Sequence, residues 1–206
     1  MTFPDRKYPR IAGFTDDYFA RLRDAHASVD RGKLGAAARL LGDAYGRGAT
    51  LYVCGNGGSA ATADSFVCDH AKLIQTDTGL VPKVVSLSSN VPMVTAIAND
   101  IDYAEVFLYQ LKTMARAGDV LLTVSASGDS ENVVRAAKWA KKNGIAVLAF
   151  TGFSGGRTAK LATVHLHVKG DNYGVIEDAH QSLMHILAQY IRQSRMSGSL
   201  IKKRKF

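Results

Sequence analysis

The sequence predicts a single α/β domain built on a parallel sheet, and three observations carry that prediction. From Leu51 onward, short β-branched and aliphatic runs recur, most followed by a glycine or serine cluster and then by helical periodicity. The chain has 206 residues, the size of one domain with a substantial core. Its 47% hydrophobic and 21% charged residues, with four prolines, exclude a disordered or low-complexity body.

Before the sheet, Thr15 to Gly48 carries apolar residues at helical spacing (Phe19, Leu22, Leu34, Ala37, Ala38, Leu40, Leu41, Tyr45), which predicts two helices joined near Val29 to Gly32. Thr15 and Asp30 are the expected N-caps. The strands are expected at Leu51 to Cys54, Lys83 to Leu87, Val120 to Val124, Ala146 to Phe150 and Val164 to Val168. Between them fall helices at about Ala60 to Leu73, Glu105 to Arg116, Glu131 to Lys142 and Gly156 to Leu161, with a short turn near Pro92 to Ala98. An amphipathic stretch from Val175 to about Arg195 closes the domain. The segment from Ser197 to Phe206 loses periodicity and is expected to be a mobile basic tail.

The net charge of +8 invites nucleic acid as a partner, but the charge is unevenly placed. Arg192 to Phe206 holds six Lys+Arg and no acid, leaving 20 Lys+Arg against 18 Asp+Glu in the other 191 residues. No helix-turn-helix is recognisable, Trp139 and the tyrosines show no base-stacking spacing, and nucleic acid is not expected as a partner. No apolar run reaches the roughly 18 residues of a membrane span, and Met1 to Arg10 has no apolar signal core. Cys54 and Cys68 cannot form a disulfide framework. A cytoplasmic protein without membrane contact is the expectation.

The chemistry concentrates in two loops. Gly55, Asn56, Gly57, Gly58 and Ser59 follow the first strand and run straight into a helix, where close-approaching backbone amides and the positive end of the helix dipole suit a phosphate. Plain tight turns use the same residues. The third strand, however, ends in Ser125, Ala126, Ser127, Gly128, Asp129 and Ser130, whose three hydroxyls can wrap one anion before the helix at Glu131. Neither loop has the lysine of a nucleoside-triphosphatase loop or the dinucleotide glycine pattern, so a sugar phosphate is expected and no nucleotide cofactor. In open parallel sheets, ligands lie beyond the carboxyl ends of strands, where both loops fall.

On these residues the chain resembles the sugar isomerase (SIS) domain proteins, and within them the phosphoheptose isomerases, which interconvert sedoheptulose 7-phosphate and a D-glycero-D-manno-heptose 7-phosphate. The likeness runs from about Thr15 to Arg192 and includes Cys54 to Ser59, Ala96 to Asp100, Gly118 to Ser130, Thr151 with Gly152, and the last helix with His180 and His185. It implies a flavodoxin-like three-layer sandwich with a five-stranded parallel sheet. It also implies a homotetramer with interfacial active sites, in which residues 15–48 form a helical oligomerisation arm. The division expected is then an extension at 1–14, one SIS domain at 15–195 and a basic tail at 196–206. By the same resemblance, Ser59, Ser125, Ser127 and Ser130 hold the substrate phosphate, Asn56 and Asp100 face the sugar, and Gly57, Gly58 and Glu177 join them in binding the substrate.

Moving a carbonyl between C1 and C2 needs a base for a carbon-bound proton, an acid for oxygen and stabilisation of the enediolate. The resemblance assigns His185 as base and Asp69 as acid. Many relatives bind zinc through a histidine, a glutamate, a glutamine and the last-helix histidine. Here those positions hold Ser65, Asp69, Glu177 and His185, and the Asp-Arg that usually precedes the glutamine is Gly174 and Val175. Asp69, Glu177 and His185 remain a set that a divalent ion could accept. Glu177 and His185 are eight residues apart, about 12 Å along a helix, so one ion would need leaning side chains, a bent helix or two subunits. His180 is expected to be structural. Two functions stay open: a heptose-phosphate isomerase, and a sugar-phosphate-binding or regulatory SIS protein that has lost the chemistry.

Overall fold

The structure, a computed structural model, describes residues 2–206. Two helices lead in, α1 (Ile11–Ala27) and α2 (Arg31–Gly46). The chain then alternates through β1 (Thr50–Cys54), α3 (Gly58–Phe66), β2 (Lys83–Ser86), α4 (Val91–Asp100), α5 (Val106–Met114) and β3 (Val120–Ser125). It continues through α6 (Glu131–Lys142), β4 (Ala146–Thr151), α7 (Gly156–Leu161), β5 (Val164–His167), α8 (Tyr173–Gln193) and α9 (Gly198–Ile201).

The five strands are parallel in the order β2-β1-β3-β4-β5, with Leu51 level with Val84 on one side and Val120 on the other. The order reverses between β1 and β3, and a crevice opens beyond their carboxyl ends at such a reversal. The sheet separates two apolar layers, as a parallel sheet with both faces covered requires. Leu51, Val53, Leu122, Val124, Leu148 and Phe150 pack against α1, α2, α3 and α8. Tyr52, Cys54, Leu121 and Val147 meet α4, α5 and α6. Full burial of each large side chain in these layers contributes about 1.5–3 kcal/mol.

Several expected boundaries move. Helix α1 begins four residues before Thr15, whose hydroxyl donates to the Ile11 carbonyl inside the helix instead of capping it. The earlier start is fixed by the aromatic cluster of Phe3, Tyr8, Phe14 and Tyr18, with Phe3 buried, so the extension packs on the domain. Asp30 caps α2 through the Lys33 amide at 2.9 Å. Residues 15–48 pack on the domain, as Ala25, Ala37, Leu41 and Tyr45 in its core show.

The turn expected at Pro92 to Ala98 is the ten-residue α4, capped by Asn90. The helix expected through Leu73 changes at Val67 into a π-helical turn, Val67–Leu73. The tail contains α9, and Arg204 folds back to grip Asp77 through both carboxylate oxygens at 2.9 Å. No helix among the described residues is long and apolar enough to cross a membrane.

Candidate active site

The first loop places Gly57 at a φ of 55°, a left-handed conformation that glycine adopts without strain, as the residue before α3. Ser59 follows in the first turn, 4% exposed, where helix geometry leaves amides unpaired. Gly58 lies against the Glu177 carboxylate so closely that a Cβ there would collide with it. Glu177 therefore sits at the start of α3, and burial followed by the Asp178 charge raises its carboxyl above the usual range.

The second loop folds on itself. Ser125 Oγ accepts from the Gly128 amide at 3.1 Å and Ser127 Oγ from the Asp129 amide at 3.2 Å, so both hydroxyl protons stay available to an acceptor. Ser130 is the N-cap residue of the twelve-residue α6, yet its hydroxyl makes no cap bond. Gly128 has a φ of 67°, and a Cβ there would strike the Gly155 carbonyl.

The two loops are bound together by Asn56 and by two side chains that no sequence motif marks, Asn132 and Tyr103. Asn56 and Asn132 exchange amide hydrogen bonds at 3.0 and 2.9 Å, and the Tyr103 hydroxyl donates to Asn56 Oδ1 at 2.9 Å. The Asn56 amide is thereby engaged by Asn132 in the first turn of α6 and by Tyr103. The signal for Asn132 was its place in the first turn of α6. Ser88 fastens the first loop from beyond β2 by bonding both the amide and the carbonyl of Gly55. Asp100 ends α4 exposed, accepting from Asn99 at 2.8 Å, and the described residues give it no hydrogen bond to either loop.

His185 and Asp69 come together. His185 Nδ1 donates to Asp69 Oδ2 at 2.6 Å, which leaves Nε2 as the basic nitrogen, with the Gln181 amide 3.4 Å away. The His185 side chain is 47% exposed and that of Asp69 23%. The π-helical turn carries Asp69 to this position, helped by the next residue. His70 is fully buried, accepting from the Tyr45 hydroxyl at 2.8 Å and facing the Met184 carbonyl at 3.4 Å. Burial pushes its pKa down to about 3, so it is a neutral strut between the π turn and α8.

The expected metal set does not assemble within the chain. Asp69 and His185 pair, but Glu177 sits eight residues along α8 from His185, at the start of α3. The described residues contain no group of three or more His, Cys, Asp or Glu able to hold an ion. Within one chain Glu177 lies against Gly58 while His185 bonds Asp69, so the two do not meet on one ion there. His180 is fully buried, and neither ring nitrogen finds a partner among the described residues.

The SIS domain family profile matches residues 15–152. A phosphoheptose isomerase of Mycobacterium tuberculosis is 38% identical over 162 residues, covering 77% of this chain and 82% of that protein. One from Desulfovibrio desulfuricans is 34% identical over 170 residues, covering 82% and 80%. Among solved structures, phosphoheptose isomerase GmhA from Neisseria gonorrhoeae superposes with a TM-score of 0.80 at 30% identity, covering 89% of this chain and 97% of that one. A phosphoheptose isomerase from Francisella tularensis gives 0.81 at 26% identity, with 89% and 96% covered.

Proposed function

Because the chain belongs to the SIS-domain family, and within it to the phosphoheptose isomerases, we propose that it interconverts sedoheptulose 7-phosphate, or a close relative, and the corresponding aldose phosphate through an enediolate. The direct Asp69–His185 pair carries this reading, since it joins an imidazole base to a carboxyl group in one hydrogen-bonded unit. His185 Nε2 takes the carbon-bound proton from C1. Asp69, with one proton on Oδ1, gives it to the C2 oxygen while Oδ2 holds the His185 Nδ1–H. The reverse transfers then take the proton from O1 and return one to C2, so the pair ends as it began.

The phosphate is held by Ser59, Ser125, Ser127 and Ser130 with the amides of Gly57 and Gly58, and the starts of α3 and α6 supply positive potential. Glu177, beside Gly58, accepts from sugar hydroxyls, and Asp100 joins them from the rim. No step is routed through zinc, because one chain offers an ion only Asp69 and His185. About 12 Å of helix separates His185 from Glu177. A homotetramer in which a second copy completes each site accords with this separation and with exposed Ile186 and Tyr190 beside the pair. The protein works in the cytoplasm on a small sugar phosphate.

The non-catalytic reading is favoured by Ser65, Gly174 and Val175, which remove groups the relatives use. His185→Ala separates the two. Lost turnover with sugar-phosphate binding retained supports the isomerase; a parent protein that binds without turnover supports the binder.

A further inference from the structure

We propose that Arg157 is a positioning residue that screens two carboxylates away from the phosphate, and so sets the affinity of the Ser125–Ser130 loop for a dianion; this rests on the reading of that loop as the phosphate site. The difficulty it solves lies in the sequence. Asp129 and Glu131 flank Ser130 at the start of α6, so two negative charges stand where an anion is to bind. Left free, each would oppose the helix dipole and the hydroxyls.

Arg157 meets both. Its backbone amide and its Nε each donate to Asp129 Oδ1 at 2.9 Å, one terminal nitrogen donates to the Asp129 carbonyl at 2.6 Å, and the other to Glu131 Oε2 at 2.8 Å. The second Glu131 oxygen is taken by Arg135 Nε at 2.9 Å, and Arg135 continues to Glu105 at 2.7 Å. These contacts hold Asp129 and Glu131 below the usual carboxylate range, hence ionised and paired. Arg157 is itself held in register. Gly155 and Gly156 press on Ser127 and Gly128, and the Thr158 amide donates to the Gly128 carbonyl at 3.0 Å.

A purely structural ion pair predicts something different. Exposed pairs contribute little to stability, and removing both partners of such a pair restores nothing. Removing an uncompensated charge does restore affinity, because the repulsion disappears with it.

The test is calorimetric titration of the full-length protein with inorganic phosphate at low ionic strength, where such charges act most strongly. Arg157→Ala should weaken binding roughly tenfold, the effect of one or two uncompensated charges near the ligand. Asp129→Asn keeps an oxygen to accept from Arg157 and should bind no more weakly than the parent. The double variant, Asp129→Asn with Arg157→Ala, should return to within about threefold of the parent. With sugar phosphate, Arg157→Ala should raise KM and leave kcat within about twofold.

Affinity unchanged in Arg157→Ala, or a double variant as weak as that single variant, overturns the proposal. Ser127→Ala and Ser130→Ala separate the two claims. If they weaken phosphate binding while Arg157→Ala does not, only the screening role falls; if they leave it unchanged, the loop is not the phosphate site and both fall. Should Arg157→Ala fold poorly, Arg157→Gln still decides, since it can keep a donor to Asp129 without the charge: screening predicts weaker phosphate binding for it, and a structural hydrogen bond does not.

Discussion

Replacing Asp69 by Asn changes little in shape and one thing in chemistry. The amide oxygen still accepts from His185 Nδ1, now at 2.6 Å from Asp69 Oδ2, and the amide nitrogen still faces the substrate, but it cannot give up a proton. Two magnitudes then separate. If Asp69 only orients His185 and favours the imidazolium, the loss is that of an ion pair with side chains 47% and 23% exposed. Such a pair is worth about 1 kcal/mol after solvent screening, or roughly fivefold in rate. If Asp69 transfers the proton, the loss is that of a general acid, about 10²–10⁴-fold. The account predicts a fall in kcat of at least about 100-fold with KM nearly unchanged, since the phosphate loops are untouched. Steady-state kinetics on Asp69→Asn, with thermal unfolding to confirm the fold, decides it. A loss under about tenfold would refute the acid role.

Other expectations follow from the same geometry. Gly128→Ala forces a Cβ into the Gly155 carbonyl at a positive φ, so urea denaturation should show about 2–4 kcal/mol lost and calorimetry a loss of phosphate binding. Asn132→Ala breaks the reciprocal bond to Asn56 and leaves the part-buried Asn56 Nδ2 donor without its acceptor. It should cost about 1–2 kcal/mol and raise KM more than it lowers kcat, which an unchanged KM would contradict. His180 is buried with neither ring nitrogen hydrogen-bonded among the described residues, and burial pushes its pKa down to about 4 from the ordinary 6.5. Between those values the unfolded chain binds a proton that the folded one does not, so this residue lowers stability by about 1.4 kcal/mol for each unit of pH fall from 6.5 toward 4. His180→Leu should raise stability at pH 7 by about 1–3 kcal/mol and flatten that slope; urea titrations at pH 7 and pH 5 would show neither if the imidazole is in fact satisfied.

The strands were readable because a doubly covered parallel sheet demands unbroken aliphatic runs, and Val120 to Val124 or Ala146 to Phe150 have no other use. The two loops were readable because Gly57 stands at a positive φ and Gly128 at a positive φ with the Gly155 carbonyl close by, positions that favour glycine. What escaped depends on partners distant in sequence. The start of α1 is set by Phe3 against Phe14 and Tyr18, and the fold of the tail by Asp77, 127 residues before Arg204. The π turn around Asp69 has no local signature; it follows from His70 fitting between Tyr45 and Met184. Helix α4 outruns the short turn expected at Pro92 to Ala98 because Pro92 sits in its first turn behind the Asn90 cap, where proline starts a helix. Asn132, Tyr103 and Arg157 were missed for the same reason as the tail: each acts on a loop that the fold, and not the chain, brings near. Glu177 illustrates the converse, since helix rise alone set it about 12 Å from His185, and the structure places it at α3.

The central claim is an enediolate formed by the Asp69–His185 pair on a phosphorylated heptose. Incubating the pure protein with sedoheptulose 7-phosphate in deuterated water, and following the sugar by NMR, tests it most directly. The account predicts an aldose heptose phosphate carrying solvent deuterium at C2, and neither product nor exchange with His185→Ala. A parent protein that binds the ketose yet yields no aldose and no deuterium at any carbon, with or without added zinc, would contradict it.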